Sequence, residues 1–337
     1  MMKKIVLKYA LKDKPKADDF LAIEAATPDC PEGGVIARVI YVSLDPYVGT
    51  RLRGNHMGEA APEPGAGMIP GAVVGQVTES QTDSAKVGDY IYSMEGGWQD
   101  FVALDAKDFQ VIDAEAAPLS TYMGPLGMPG LTAWAGVTQL AKVTDGDVFL
   151  VNAASGPVAG TAGQIARARG AKTVVGIAGG PEKCAIVTDD YGFDACLDYK
   201  TEGWQDGLKQ AAPEGITVHF ENVGSEMLML ALSNMKLYGR AILCGLAAHY
   251  HEDGPRASFP IGMVIGKRAA LHGLVVYDYY DRWDKFRSEV APMVKSGAIT
   301  IKEDRVDGLD NAGALMERLV GGKNVGKALV AVGPEVL

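Results

Sequence analysis

The sequence predicts an α/β protein in two parts: a parallel-sheet domain and a smaller β-rich domain. Three observations predict it. Apolar runs of strand length recur from Val148 onward, and helical patterns separate the first of them, as in a parallel sheet covered by helices on both faces. The chain up to about Leu119 instead reads as short strands punctuated by glycine, the pattern of a compact β-barrel-like domain. At 337 residues, 47% hydrophobic and 22% charged, the chain can bury two sizeable cores and has an ordinary soluble composition.

In the β-rich part, Gly34–Ser43 and residues 69–77 alternate partly between apolar and polar, and residues 86–92 read as a turn and a strand. Residues 57–68, rich in Gly, Pro and Ala, read as a mobile loop, and residues 122–130 as a Gly/Pro-punctuated junction. The parallel strands are expected at residues 148–152, 173–177, 195–199, 216–220, 240–244 and 274–277. A helix over 310–320 and a strand over 327–332 return to the β-rich part. The domain boundaries are therefore expected at 1–122 with 303–337, and 123–302. A cleft between two domains is the default ligand site.

The first parallel strand leads to the most informative turn. Val148 to Asn152 is apolar up to its last residue, and Ala153 to Gly156 are small. Pro157, Val158, Ala159 and Gly160 then open a helical pattern. A strand, a small-residue turn and a helix N-terminus hold a pyrophosphate, because the backbone approaches closely and free amides face the charge. The spacing has one defect, Ala159 where a glycine is usual. A tight packing turn without a ligand is the alternative.

The next strand reports on the ribose. An NAD site usually places an Asp or Glu at its tip to bond the 2′-hydroxyl. Here the tip is Ala178-Gly179-Gly180-Pro181-Glu182-Lys183, with no acid before the turn. Lys183 sits in a first helical turn, where the helix dipole does not favour a cation. A 2′-phosphate explains it, and so does a solvated surface lysine. The first reading makes the cofactor NADPH/NADP.

Composition excludes other classes. The net charge of −10 and the lack of a Lys/Arg cluster argue against nucleic acid or an anionic membrane as partner. No apolar run has spanning length, and the start shows no secretory pattern, so the expectation is a cytoplasmic protein. Cys30, Cys184, Cys196 and Cys244 lack short pair spacing and read as free buried thiols in a reducing compartment. His249 and His251 form an H-x-H pair, but a catalytic zinc needs a third ligand and none stands nearby, so no metal site is expected.

Five segments together resemble the zinc-independent medium-chain dehydrogenase/reductases, in the alkenal/enone reductase group. They are residues 43–47 (Ser-Leu-Asp-Pro-Tyr), 124–133, 178–183, 220–224 (Phe-Glu-Asn-Val-Gly) and 322–327 (Gly-Lys-Asn-Val-Gly-Lys), in order along nearly the whole chain. The resemblance implies a Rossmann dinucleotide-binding domain, a GroES-like β domain and a homodimer. It also implies that Lys183 and Tyr199 hold the 2′-phosphate and that Gly156, Pro157, Val158 and Ala159 lie on the pyrophosphate. Asn222, Asn324, the segment Cys244, Gly245, Leu246 to Tyr250, and Leu274, Val275 and Val276 would contact the cofactor. Singly, each has a structural alternative: the asparagines suit turns, Tyr199 packs and Cys244 belongs to a core. Zinc-dependent relatives carry a cysteine near residues 43–45 and Gly-His-Glu near 70–72, and this chain has neither.

The activity implied is NADPH-dependent reduction of the carbon–carbon double bond of an α,β-unsaturated ketone or aldehyde. Hydride adds at the β-carbon, charge collects on the carbonyl oxygen, and hydrogen bonds hold the enolate while a proton reaches the α-carbon. Tyr47 and Tyr250 are the candidate catalytic hydroxyls, against the alternative of half-buried tyrosines with satisfied phenols. Some relatives carry a tyrosine just before Lys267-Arg268, where this chain has Gly266, which leaves the proton donor open. Two other readings stand beside this one, a quinone reductase and a non-enzymatic NADPH-binding protein. Residues 273–277 are the candidate edge for pairing sheets between subunits.

Overall fold

The computed structural model describes residues 1–250 and 258–336. Its backbone contacts divide the chain into two units, Met1–Met123 with Glu303–Leu337, and Gly124–Lys302. The chain begins with β1 (Met2–Leu7), β2 (Phe20–Ala25), β3 (Gly34–Ser43), α1 (Val48–Arg51), β4 (Val73–Ser80), β5 (Tyr90–Ser93), β6 (Phe101–Asp105) and β7 (Gln110–Ile112). The second unit contains α2 (Met128–Trp134), β8 (Val148–Asn152), α3 (Pro157–Ala168), β9 (Thr173–Ala178), α4 (Pro181–Ala185) and β10 (Ala195–Asp198). It continues through α5 (Asp206–Ala211), β11 (Ile216–Glu221), α6 (Ser225–Asn234), β12 (Met235–Leu243), α7 (Ile261–Lys267), β13 (Ala270–Gly273) and α8 (Trp283–Lys295). The last elements are β14 (Glu303–Asp307), α9 (Ala312–Val320) and β15 (Lys327–Ala331).

In the first unit, β3 is the organising strand. It pairs antiparallel with β4, β6 and β15, so the C-terminal strand does return to the N-terminal sheet. The sheet runs β14-β15-β3-β4-β5-β7 and packs over a core that includes Val35, Val39, Val73, Ile91, Trp98, Leu315 and Val330. The strand expected from residue 69 starts instead at Val73. Pro70 has no N–H for a ladder, and a Cβ at Gly71 would already sit 3.0 Å from the Trp98 indole. Residues 57–68 form no helix or strand beyond an isolated bridge at their start, between His56 and Glu59.

In the second unit, six parallel strands run β10-β9-β8-β11-β12-β13. Every residue of β8 is buried because successive side chains enter opposite faces. Val148 and Leu150 meet Leu208, Leu228, Leu232 and Ile216 on one face. On the other, Phe149 lies 6.4 Å from Phe220, and Gly136 approaches the Phe220 ring too closely to admit a Cβ. The order of the strands reverses between β8 and β11, so their C-terminal ends form the switch point of the sheet.

The strand expected at 274–277 is corrected. The strand is β13, Ala270–Gly273, and Val276–Arg282 is a 3-10 turn. Register explains the difference: β12 ends at Leu243 opposite Gly273, and Leu274 donates the last bond to the Leu243 carbonyl at 3.0 Å. Beyond Leu243 the neighbouring amides turn to the Glu221 carbonyl, so no ladder remains to extend the edge. The cysteines are free as expected, but all four are half-buried rather than buried.

Candidate active site

The turn after β8 leaves a helix end open to an anion. Gly156 caps α3 in an extended conformation, Pro157 follows at the first helical position, and no side chain caps the helix. The unpaired amides of the first turn therefore remain available to a ligand. Ala159 is 2% exposed, its methyl absorbed by the core, so the missing glycine leaves the turn intact. Gly160 and Gly163 are required for another reason. A Cβ at Gly160 would lie 2.8 Å from Ile301, and one at Gly163 would collide with the Phe193 ring.

At the end of β9, two glycines shape the next corner. Tyr199 lies on Gly179, where a Cβ would be 2.7 Å from three ring and hydroxyl atoms. Gly180 takes φ 104°, a conformation that suits glycine, and Lys183 follows in α4. The Asp198 carboxylate accepts the amides of Gly180 at 2.8 Å and Lys200 at 2.9 Å, which hold it below the usual carboxylate range. Asp198 thus fastens the Gly179-Gly180 turn to β10. Small residues, a lysine, a half-exposed tyrosine and no acid on the β9 tip fit a ribose bearing a phosphate better than one bearing a hydroxyl.

At the switch point, Asn222, Cys244, Gly245, Leu246 and Tyr250 come together. Residues 244–248 are laced to the turn after β11: Cys244 and Gly245 donate to the Glu221 carbonyl (2.9 and 3.1 Å), Ala247 to Asn222 and Ala248 to Val223 (both 3.0 Å). A Cβ at Gly245 would sit 2.9 Å from the Asn222 carbonyl and 3.2 Å from the Tyr250 hydroxyl, so glycine is needed to close this corner. Burial raises the Tyr250 phenol, only partly offset by the Leu246 amide that it accepts. Burial and the Glu221 charge push the Cys244 thiol up to about 12, which makes it an inert wall rather than a nucleophile. Leu274 is buried, Val275 is 41% exposed, and Val276 opens the 3-10 turn. Gly266 lies on α7 with open space around its Cβ direction.

Tyr47 and Asn324 belong to the first unit. Tyr47 precedes α1, its ring packed 5.3 Å from His56. The Arg51 guanidinium hydrogen-bonds the Tyr47 phenol and pairs with Glu59 at 2.6 Å. Burial works against the Arg51 charge, but Tyr47 and Glu59 outweigh it and raise its pKa. A guanidinium only donates, so the phenol keeps its own O–H as a donor while a cation sits beside its oxygen. The Asn324 amide donates to the Gly326 carbonyl at 2.9 Å, fixing the turn into β15. The Lys327 ammonium is buried against the Leu44 carbonyl (2.7 Å) and Asp45 (2.8 Å), and Ser43 donates to the same carboxylate. Among the described residues no three His, Cys, Asp or Glu side chains cluster to hold a metal; His251 of the H-x-H pair lies outside them.

Sequence reasoning missed Asn152, His219, Glu221 and Arg51. The signal for two of them was present: His219 and Glu221 stand two apart in an apolar strand, hence on one buried face, where polar groups must pair. Arg51 left no signal, because only the fold of α1 brings it to Tyr47.

The comparisons with known proteins agree with this geometry. Residues 3–112 match the family described as the N-terminal domain of oxidoreductase, and residues 157–295 the family described as zinc-binding dehydrogenase. A 2-alkenal reductase (NADP(+)-dependent) from Nicotiana tabacum is 36% identical over 99% of this chain and 98% of its own. An NADPH-dependent curcumin reductase from Escherichia coli (strain K12) is 35% identical over 92% and 90%. The crystal structure of CurA in complex with NADPH, from Vibrio vulnificus, superposes with a TM-score of 0.90 at 29% identity, covering 98% of this chain and 99% of that one. The two units are thus a GroES-like domain and a Rossmann domain. The chain belongs to the medium-chain dehydrogenase/reductase family, in its alkenal/enone reductase group.

Proposed function

We propose that this protein is an NADPH-dependent reductase of the carbon–carbon double bond of α,β-unsaturated ketones and aldehydes. The observation that supports it most is the acid-free corner of Gly179, Gly180, Lys183 and Tyr199, in a chain alike over its full length to a 2-alkenal reductase. In this reading the α3 amides after Gly156 hold the pyrophosphate, and Lys183 and Tyr199 the 2′-phosphate. Asn222, residues 244–250, residues 274–276 and Asn324 line the rest of the cofactor. The chemistry supplied by bound NADPH is a hydride for the β-carbon of the enone.

The chain must then stabilise negative charge on the carbonyl oxygen and deliver a proton. Tyr47 suits this better than Tyr250. The Arg51 guanidinium beside its oxygen is a cation that can offset negative charge developing there, whereas burial raises the Tyr250 phenol. Tyr250 is read as a wall of the cofactor site. The reaction is read as metal-free: Ser43 and Asp45 stand where zinc-dependent relatives have a ligand, and Lys327 already neutralises Asp45. Activation comes from the conjugated substrate.

The protein is read as a cytoplasmic homodimer. Its four thiols form no disulfide, as suits a reducing compartment, and no described helix is long and apolar enough to cross a membrane. The β13 edge, with Leu237, Tyr238, Ile261 and Ile265 exposed on neighbouring elements, is the surface for a second copy. Sedimentation of a monomer at micromolar concentration would rule out the dimer.

The deciding experiment follows cofactor oxidation with an alkenal, a cyclic enone, a quinone and a saturated aldehyde, with NADH in parallel. Enone turnover to the saturated ketone with NADPH is expected, and Tyr47→Phe should lower kcat about 10²-fold or more. Activity on the quinone alone would replace the reading with a quinone reductase. Tight NADPH binding without turnover on any of them would replace it with a binding role.

A further inference from the structure

A buried polar network lies directly beneath the switch point. His219 and Asn152 are fully buried and Glu221 is 2% exposed. His219 Nε2 lies 2.7 Å from Glu221 Oε2, and its Nδ1 lies 3.2 Å from the Leu150 carbonyl. The other carboxylate oxygen, Oε1, accepts three donors: Asn152 Nδ2 (2.6 Å) and the amides of Val223 (2.6 Å) and Gly224 (2.8 Å). Asn152 Oδ1 accepts the Asn222 amide at 2.7 Å, and the Asn152 carbonyl accepts Asn222 Nδ2 at 3.1 Å. Burial by itself would raise the Glu221 carboxyl, yet the bond and charge of His219, then the Asn152 and Gly224 donors, hold it below its usual range.

Buried ionisable networks are seldom the most stable way to fill a core. What hangs from this one is the candidate cofactor wall. The Glu221 side chain holds the amides of Val223 and Gly224, Asn152 holds Asn222, and the backbone carbonyls of Glu221, Asn222 and Val223 hold residues 244–248. Gly224, at φ 154°, has His249 so close that a Cβ would sit 2.5 Å from its ring. The carboxylate therefore sets the Val223-Gly224 turn directly, and through that turn it bears on the backbone that carries Asn222 and residues 244–248.

We propose that Glu221, oriented by His219, is the positioning residue for the nicotinamide half of the dinucleotide, acting through the 222–224 turn without touching the cofactor. The inference rests on the NADPH reading above. In an open parallel sheet the dinucleotide crosses the switch point, with one nucleotide on each side. Lys183 and Tyr199 stand on the β9–β10 side, which takes the 2′-phosphorylated adenosine. The Glu221 assembly stands on the β11–β12 side, which takes the other half.

The geometry predicts a distinctive pattern. Glu221→Gln keeps an acceptor for the three donors. Its new NH₂ can donate to His219 Nε2, provided that His219 carries its proton on Nδ1 toward Leu150. Glu221→Asp keeps the charge but falls short by one methylene, and Glu221→Ala removes everything. NADPH and adenosine 2′,5′-bisphosphate, which reports on the adenosine half alone, are titrated into each full-length variant. The expected result is an NADPH affinity weakened about tenfold or more in Asp and Ala, close to wild type in Gln, with the bisphosphate unchanged in all three. If the alanine variant does not fold, the aspartate variant carries the test. Equal weakening of both probes would reduce Glu221 to a structural role and overturn the proposal. So would full NADPH affinity in the aspartate variant, or a glutamine variant as weak as it. Wild-type protein that binds neither probe would overturn the NADPH reading itself, and the proposal with it.

Discussion

Gly179→Ala separates cofactor recognition from folding. Gly179 lacks a positive φ, so alanine fits its backbone. The obstacle is Tyr199, whose ring and hydroxyl would lie 2.7 Å from the new methyl. Carbon atoms settle at about 3.5–4.0 Å, so the tyrosine must withdraw by about 1 Å. A hydrogen bond of normal length moved that far passes about 3.5 Å and is lost. Tyr199 is 46% exposed and swings into solvent without opening the core, so the melting temperature should hold within about 1 °C. In the proposed reading the lost bond is to a charged phosphate, worth about 1.5–3 kcal/mol, which should weaken NADPH about 10- to 150-fold. NADH has no phosphate there and should bind as before. Cofactor fluorescence on titration measures both. NADPH and NADH weakened alike, or neither weakened, would refute the assignment of this corner to a 2′-phosphate.

Three further outcomes follow from the same geometry. Gly163→Ala drives a methyl into the buried Phe193 ring, an overpacking of about 1–3 kcal/mol that should lower the melting temperature by several degrees, read by calorimetry. Lys327→Met strands the buried Asp45 and should destabilise by about 3–5 kcal/mol, while the Asp45→Asn/Lys327→Met double variant should recover most of this in urea melts. Glu221 has a depressed folded pKa. Its contribution is therefore present above its unfolded value near 4.5 and is lost as pH falls through the lower folded value. Glu221→Gln should flatten that acid limb of the stability profile; an unchanged acid limb would contradict it.

The parallel sheet was legible because its strands are buried on both faces and read as unbroken apolar runs. Val148–Asn152 and Thr173–Ala178 stood within a residue of where the sequence placed them. The edge strand was not. Residues 274–277 are as apolar and β-branched as any strand in the chain, but a strand needs a partner as well as a propensity. The partner strand β12 ends at Leu243, and its next amides are claimed by the Glu221 carbonyl. Which neighbour an amide finds is a property of the assembled sheet, and no local pattern encodes it.

The site divides the same way. Its glycines and Lys183 were visible because they satisfy a local rule: close approach of a backbone, or a cation where the helix dipole wants none. The residues that organise it were hidden because their rule is non-local. Glu221 gathers donors from β8, from β11 and from the turn beyond, and Asn152 reaches it across a gap of 69 residues in sequence. Ala159 shows the converse. A motif read alone counted it as a defect, yet the fold buries its methyl and leaves the uncapped start of α3 in place. A departure from a local pattern therefore weakens a functional reading only when the changed atom points at the ligand, and here it points at the core. By the same reasoning Gly266, with open space where some relatives carry a tyrosine, is the departure that would bear on the proposed chemistry. It removes a hydroxyl without filling its place, and the proposed mechanism turns instead to Tyr47, whose oxygen lies beside Arg51.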